Sequence, residues 1–278
     1  MNYASIRTRL TTRFAVVAVF AAIMALAGAS SASAKYPTSM VAMGDSITQA
    51  ATTCLVTVTC PENSWATGTN TTVNSIAARL KAQNSSATSS NIAVSGAKIT
   101  DLKGQANLAV LQAPQLVTIM IGANDACGAI GGVTTAASFR TDVQTVLTTL
   151  QNGLPAKSKI VVASIPNLQY LYDLLAGNAS ARNAWSLLPL CPAMTQNAGS
   201  NAAADVARRA ATAQRVIDFN TALSDVCATK SKCIWDGLKT YNYKFVPSEI
   251  GQLDYFHPSI KGQQTIAREA WPLVPSTF

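Results

Sequence analysis

One histidine serves the whole chain of 278 residues, and only 12% of the residues carry charge. A lone imidazole cannot build an intrachain centre that needs two or three of them, which excludes H-E-x-x-H zinc proteases and three-histidine zinc sites. Low charge beside 49% hydrophobic residues excludes a disordered chain, whose balance is the reverse. No G-x-x-x-x-G-K-[ST] loop, dinucleotide fingerprint, C-x-x-C pair or Gly-x-Ser-x-Gly elbow occurs, and there is no internal repeat. Gly131-Gly132 alone reads as a turn.

What is present begins with an N-terminal address. Arg7, Arg9 and Arg13 precede an apolar stretch over 14–29, and Ala32-Ser33-Ala34 supplies small residues before Lys35. This is the pattern of a secretory signal peptide over 1–34, cleaved after Ala34. The stretch falls short of the roughly 20 residues a spanning helix needs, so no membrane span is expected after cleavage. Cleavage removes three arginines and no acids, which takes the net charge from +8 to +5 and leaves one domain over 35–278. The remaining positive charge is dispersed, with Arg208-Arg209 and the pair Lys230, Lys232 as its densest places. An exported protein without a recognition motif has no nucleic acid as its expected partner. Nothing requires more than a monomer.

Export sets the reading of Cys54, Cys60, Cys127, Cys191, Cys227 and Cys233, because an oxidising compartment lets thiols pair. Six cysteines allow 15 pairings, and spacing does not choose among them. The sequential set Cys54–Cys60, Cys127–Cys191 and Cys227–Cys233 is the expected one. On the loop-entropy model each short loop contributes roughly 2 kcal/mol and the long one roughly 4 kcal/mol.

Beyond residue 35, short apolar runs alternate with amphipathic stretches. Runs at 39–43, 92–94, 116–121 and 160–165, with a weaker one at 233–235, read as strands rich in Val and Ile. Helical spacing covers 72–83, 100–111, 138–150, 201–226 and 259–271, with Thr100 or Asp101 as cap of the second. In the fourth, Val206, Val216, Ile217, Phe219 and Leu223 are expected to face inward. Strands separated by helices imply right-handed crossovers and a three-layer α/β/α sandwich around a parallel sheet.

Ligands of such sheets bind beyond the carboxyl ends of the strands. Gly44-Asp45-Ser46-Ile47-Thr48 follows the first run, Ser95-Gly96-Ala97 the second and Gly122-Ala123-Asn124-Asp125 the third. Asp254-Tyr255-Phe256-His257-Pro258 precedes the last helix. Together these are parts for acyl transfer through a serine. A serine hydroxyl needs an adjacent base, and His257 is the one imidazole available; Asp254, three residues earlier, reaches it if the segment turns. Donors for a developing oxyanion are the backbone N–H groups of Ser46 and Gly96 and the side-chain amide of Asn124. Asp45 and Asp125 read as acids that hydrogen-bond loop backbone.

These four blocks resemble those of the SGNH hydrolases, also called the GDSL esterase/lipase family. Export and six cysteines make the chain most similar to the secreted, disulfide-containing bacterial branch. The resemblance implies a parallel, flavodoxin-like sheet of about five strands, with Ser46 as nucleophile and Gly96 and Asn124 completing the oxyanion hole. It further implies His257 as general base and acid, with Asp254 orienting it, and neither metal nor organic cofactor. Two departures stand out: Ile47 replaces the leucine of the name-giving motif, and Ala50 and its neighbours lack the glycine that often follows.

The expected substrate is an ester, and three readings of the chain stand side by side. One is a carboxylic-ester hydrolase acting on lipid or short-chain esters, one a carbohydrate O-deacetylase, and one a surface-binding protein without turnover. The intact Ser46, Asn124, Asp254 and His257 set speaks against the last. Residues 168–190, rich in Leu, Tyr and Trp, read either as an acyl-binding wall or lid, or as an ordinary helix packed on the sheet.

Overall fold

The computed structural model describes residues 36–55, 58–129 and 131–278. The expected signal peptide lies outside the described residues. Five strands, β1 (Ser39–Gly44), β2 (Thr88–Asn91), β3 (Leu116–Met120), β4 (Lys159–Val162) and β5 (Cys233–Trp235), form one parallel sheet in the order β2-β1-β3-β4-β5. Ten helices are described: α1 (Ile76–Gln83), α2 (Leu102–Gln112), α3 (Ala123–Cys127), α4 (Ala136–Gly153) and α5 (Leu168–Leu175) in the first half. α6 (Ala179–Leu187), α7 (Pro192–Thr195), α8 (Ala203–Ala228), α9 (Lys239–Asn242) and α10 (Ile260–Ala270) complete them.

Period-two alternation divides each central strand between two cores. Val41 and Met43 of β1 and Val117 and Ile119 of β3 pack with Leu102, Phe139, Val143 and Phe219 of α2, α4 and α8. Met40, Ala42, Leu116 and Met120 pack on the other face with Ile76, Leu80, Trp185 and Ile266 of α1, α6 and α10. All five residues of β3 are buried, as a strand covered on both faces requires. The sheet is the expected three-layer α/β/α arrangement.

Strand order reverses between β2-β1 and β1-β3, so the crevice beyond the carboxyl ends of β1 and β3 is where such a sheet binds its ligand. Gly44 and Met120 face each other there in register.

Several boundaries differ from the sequence expectation. The second strand is the polar Thr88–Asn91 rather than 92–94, because an edge strand has one strand neighbour and tolerates exposed side chains. Ile92 and Val94 still donate to Ala42 O and Gly44 O, but Val94 is exposed as the chain leaves the sheet. α1 starts only at Ile76, because Asn74 takes a left-handed conformation (φ 49°) and Ser75 caps the helix by accepting Ala78 N–H. Asp101 precedes α2, yet its carboxylate accepts from Lys98 N instead of capping. Val206 and Ile217 of α8 face solvent, while Val216, Phe219 and Leu223 are buried.

Disulfides join Cys54 to Cys60, Cys127 to Cys191 and Cys227 to Cys233. Among the described residues, no helix is long and apolar enough to cross a membrane.

Candidate active site

The Gly44–Thr48 block emerges directly from β1. Gly44 has φ 145°, and a Cβ there would lie 2.4 Å from Met120 O, so only glycine lets β1 run this close to β3. Gln105 of α2 binds both sides of Gly44, accepting its N–H at 2.8 Å and donating to its carbonyl at 2.9 Å. The turn after it is tied from distant parts of the chain. Asp45 Oδ1 accepts Ile47 N–H, Gln263 Nε2 of α10 donates to Ile47 O, and Ser64 Oγ and Asn91 Nδ2 donate to Thr48 O. Ala50 adopts φ 49° where the family pattern has a glycine nearby; a left-handed non-glycine residue costs about 1–2 kcal/mol.

The second block is a self-braced turn. Gly251 N donates to His257 O and Tyr255 N to Gly251 O, and Ile250 pairs with Pro258 in an antiparallel bridge. Tyr255 sits at φ 54°, which reverses the chain so that Asp254 and His257 face each other. Asp254 Oδ1 accepts the N–H groups of Phe256 and His257 at 2.9 and 3.1 Å, and Oδ2 lies 2.6 Å from His257 Nδ1. On the far side of the ring, Nε2 is 2.8 Å from Ser46 Oγ. All three side chains are buried.

Gly96 (φ 81°) and Asn124 line the same cleft as Ser46 and His257. Asn124 Nδ2 donates to Ala97 O at 3.0 Å, and a carboxamide has a second N–H to offer. The peptide before Asn124 depends on Gly122, where a Cβ would meet Ile165 at 2.5 Å. Asp125 Oδ2 accepts Ile99 N–H and Oδ1 accepts from Thr134, which ties the loop after Gly96 to that before α4. The five residues singled out in sequence, Ser46, Gly96, Asn124, Asp254 and His257, thus meet at one edge of the sheet.

Burial shapes the charges. It pushes the Asp254 carboxyl up, but the hydrogen bond and charge of His257 and the two backbone N–H groups bring it below the ordinary range. An ionised Asp254 fixes the imidazole proton on Nδ1 and leaves the Nε2 lone pair toward the serine hydroxyl. Asp45 goes the other way: burial raises it to about 7, against the hydrogen bond from Ile47, and its Oδ2 has no partner among the described residues. Burial also raises Asp125.

The cleft over the serine has a volume of about 450 Å³ and includes Thr52, Ser95 and the ridge Leu188-Pro189-Leu190. A second, mostly apolar cavity of about 40 Å³ lies beyond Phe256, which lines both. Ile47, Ala123 and Pro258 wall it, each a chain neighbour of Ser46, Asn124 or His257.

The chain matches the family model described as GDSL-like lipase/acylhydrolase over residues 40–270. It belongs to that family. No curated protein sequence matches the chain. The fold of the chain is similar to LAE5, an alpha/beta hydrolase enzyme from the metagenome of Lake Arreo, Spain, at 15% identity and TM-score 0.54, covering 87% of this chain and 98% of that one. It is also similar to the lipase/acylhydrolase from Enterococcus faecalis at 18% identity and TM-score 0.52, over 84% and 93% of the two chains. A variant of Axe2, an acetyl xylan esterase from Geobacillus stearothermophilus, is similar at 16% identity and TM-score 0.52, over 88% and 97%. Identities this low speak to the fold alone.

Sequence reasoning missed Gln105 and Gln263, and it placed Trp185 in the 168–190 wall, lid or helix without its contact to the Asp254–His257 turn, where the indole donates to Tyr255 O at 3.1 Å. A glutamine on the apolar face of a helix, as Gln105 is among Leu102, Ala106 and Ala109, is the signal that could have found the first two.

Proposed function

We propose that the protein is a secreted, serine-dependent carboxylic-ester hydrolase working through an acyl-enzyme on Ser46. The observation that carries this reading is the unbroken relay from Ser46 Oγ through His257 to Asp254, at 2.8 and 2.6 Å. Ser46 Oγ attacks the ester carbonyl carbon while its proton passes to His257 Nε2. The bond to the alcohol oxygen then breaks, and the alcohol leaves with that proton. Water attacks the acyl-enzyme, gives a proton to His257, and the carboxylic acid departs as Ser46 regains its hydrogen. The N–H groups of Ser46 and Gly96 and the Asn124 amide stabilise the oxyanion, where losing one donor typically raises the barrier by roughly 3–4 kcal/mol. This cycle uses no metal or organic cofactor.

The small apolar cavity favours a short acyl group. It is much smaller than the neighbouring cleft, and its walls Ile47, Ala123 and Pro258 adjoin Ser46, Asn124 and His257 in the chain, which suits a few acyl carbons. The larger cleft then takes the alcohol. Hydroxyl-bearing Thr52 and Ser95 in that cleft support a second reading, removal of acetyl groups from carbohydrate, which is the substrate class in the name of one fold relative. A binding protein without turnover has no use for a buried acid-imidazole pair, which is costly to maintain.

Hydrolysis of p-nitrophenyl esters from acetate to palmitate, run beside acetylated sugars, tests this. Activity is expected to peak at two to four acyl carbons and to fall by orders of magnitude in Ser46→Ala; undiminished activity in that variant sinks the mechanism. Export and trimming to a single domain over 35–278 rest on the basic start, apolar stretch and small-residue site, and three disulfides suit that compartment. N-terminal sequencing of the exported protein should begin at Lys35.

A further inference from the structure

The segment between α6 and α7 crosses the site and is fastened at both ends. At one end Trp185, 3% exposed, donates its indole N–H to the carbonyl of Tyr255, the left-handed residue between Asp254 and His257. At the other end Cys191 is bonded to Cys127, the last residue of the helix that carries Asn124. Leu188, Pro189 and Leu190 between them wall the substrate cleft.

The indole itself is backed in depth. Tyr172 of α5 stacks on Trp185 with ring centres 6.2 Å apart, and the Tyr172 hydroxyl donates to Ala198 O. The Arg209 guanidinium of α8 lies 4.7 Å over the other ring and donates to Ser200 O. A lid would need a free edge; this segment has a covalent tie on one side and a three-layer stack, buried at Trp185 and Arg209, on the other.

We propose that residues 185–191 form a fixed strap across the catalytic centre, and that Trp185 is a positioning residue that holds His257 in line through the backbone of Tyr255. The Tyr255 peptide is the link on which both the Asp254–His257 pairing and the aim of the ring at Ser46 depend. Without the indole donor, the Tyr255 peptide tilts within the otherwise braced turn, and the imidazole shifts slightly from its line to the serine. The disulfide at the other end does the corresponding task for Asn124. The proposal rests on the Ser46–His257 reading above, and its test separates the two.

Trp185→Phe keeps a six-membered ring in the stack and removes the donor together with the pyrrole half of the indole, so thermal unfolding is followed beside activity. Its kcat on p-nitrophenyl acetate is expected to fall about 10- to 100-fold with KM within about twofold, the scale of a small misplacement of a reacting group. Because the chain has one histidine, the imidazole signals belong to His257 alone, and the low-field Nδ1–H resonance of the wild type should broaden or shift in the variant. Adding Tyr255→Gly to Trp185→Phe should restore part of kcat, since glycine enters the left-handed turn without the strain that tyrosine carries there. Cys127→Ser with Cys191→Ser should lower kcat but leave that resonance in place. A folded Trp185→Phe protein with wild-type kcat, KM and His257 resonance overturns the proposal. A wild type inactive on every ester overturns the functional reading instead, while the resonance still decides the strap.

Discussion

The two turns that make the site are held in opposite ways. The nucleophile turn, Gly44 to Thr48, is gripped by side chains from α2, α10, β2 and the loop at Ser64, up to 216 residues away in sequence. The turn that carries His257, Gly251 to Pro258, is mostly held by its own backbone and by Asp254, with Trp185 as a long-range side-chain contact. A serine hydroxyl has little intrinsic reactivity and is placed by the scaffold, whereas an imidazole must be both placed and polarised, so its acid travels with it three residues away. The two carboxylates show the same division: Asp254 is drawn down by the imidazole it serves, and Asp45, buried beside the serine, is pushed up.

Asp254→Asn strikes the base end hardest. A carboxamide accepts no negative role beside Nδ1 and turns the imidazole to the wrong tautomer, so kcat on a short ester should fall on the order of 10⁴-fold. Thermal unfolding should show the fold kept. A loss below tenfold would mean that placement of His257, not its polarisation, is the work of this turn.

Asp45→Asn probes the other end through pH. In the unfolded chain an aspartate titrates near about 3.9, and in the fold Asp45 titrates at about 7, so between these values the native state binds more protons. Stability from this group therefore falls as pH rises from about 4 to about 7, by roughly 4 kcal/mol at most. Asp254, drawn down in the fold, acts in reverse: its contribution is present above its unfolded pKa and is lost as the solution is acidified through its folded one. Urea melts from pH 5 to 8 should show the wild type weakening relative to Asp45→Asn as pH rises. Parallel curves for the two proteins would remove the buried charge from the account.

Gln105→Leu tests the long-range grip. It leaves the buried N–H of Gly44 without its partner, at a cost of about 1–3 kcal/mol in a urea melt. An equally large loss of kcat beyond what unfolding explains would show that Gln105 also aims Ser46.

Legibility followed the same division. The chemistry-bearing residues stood in short blocks beside strands, and the layered fold was visible in the alternation of Val/Ile runs with helical spacing. The edge strand Thr88–Asn91 was hidden because exposed polar residues carry no apolar period. Trp185 and Gln263 were hidden because hydrogen bonds to backbone 70 and 216 residues away leave no local pattern. The sign of the Asp45 shift needed the unpartnered, buried oxygen, which no motif encodes.

The smallest effect concerns the missing glycine. Ala50 is fully buried at φ 49°, so Ala50→Gly should relieve about 1–2 kcal/mol of backbone strain. Against this, the methyl group gives up about 0.8 kcal/mol of burial, and the freer unfolded chain costs about 0.4–1 kcal/mol. These terms nearly cancel, and the melt should move by less than about 1 kcal/mol. That cancellation is the physical reason the nucleophile turn can depart from the family pattern here: the strain of alanine is matched by what its buried methyl contributes, and the distant side chains at Ile47 and Thr48 hold the turn either way. A stabilisation above about 2 kcal/mol would show instead that the turn is strained beyond what its supports offset.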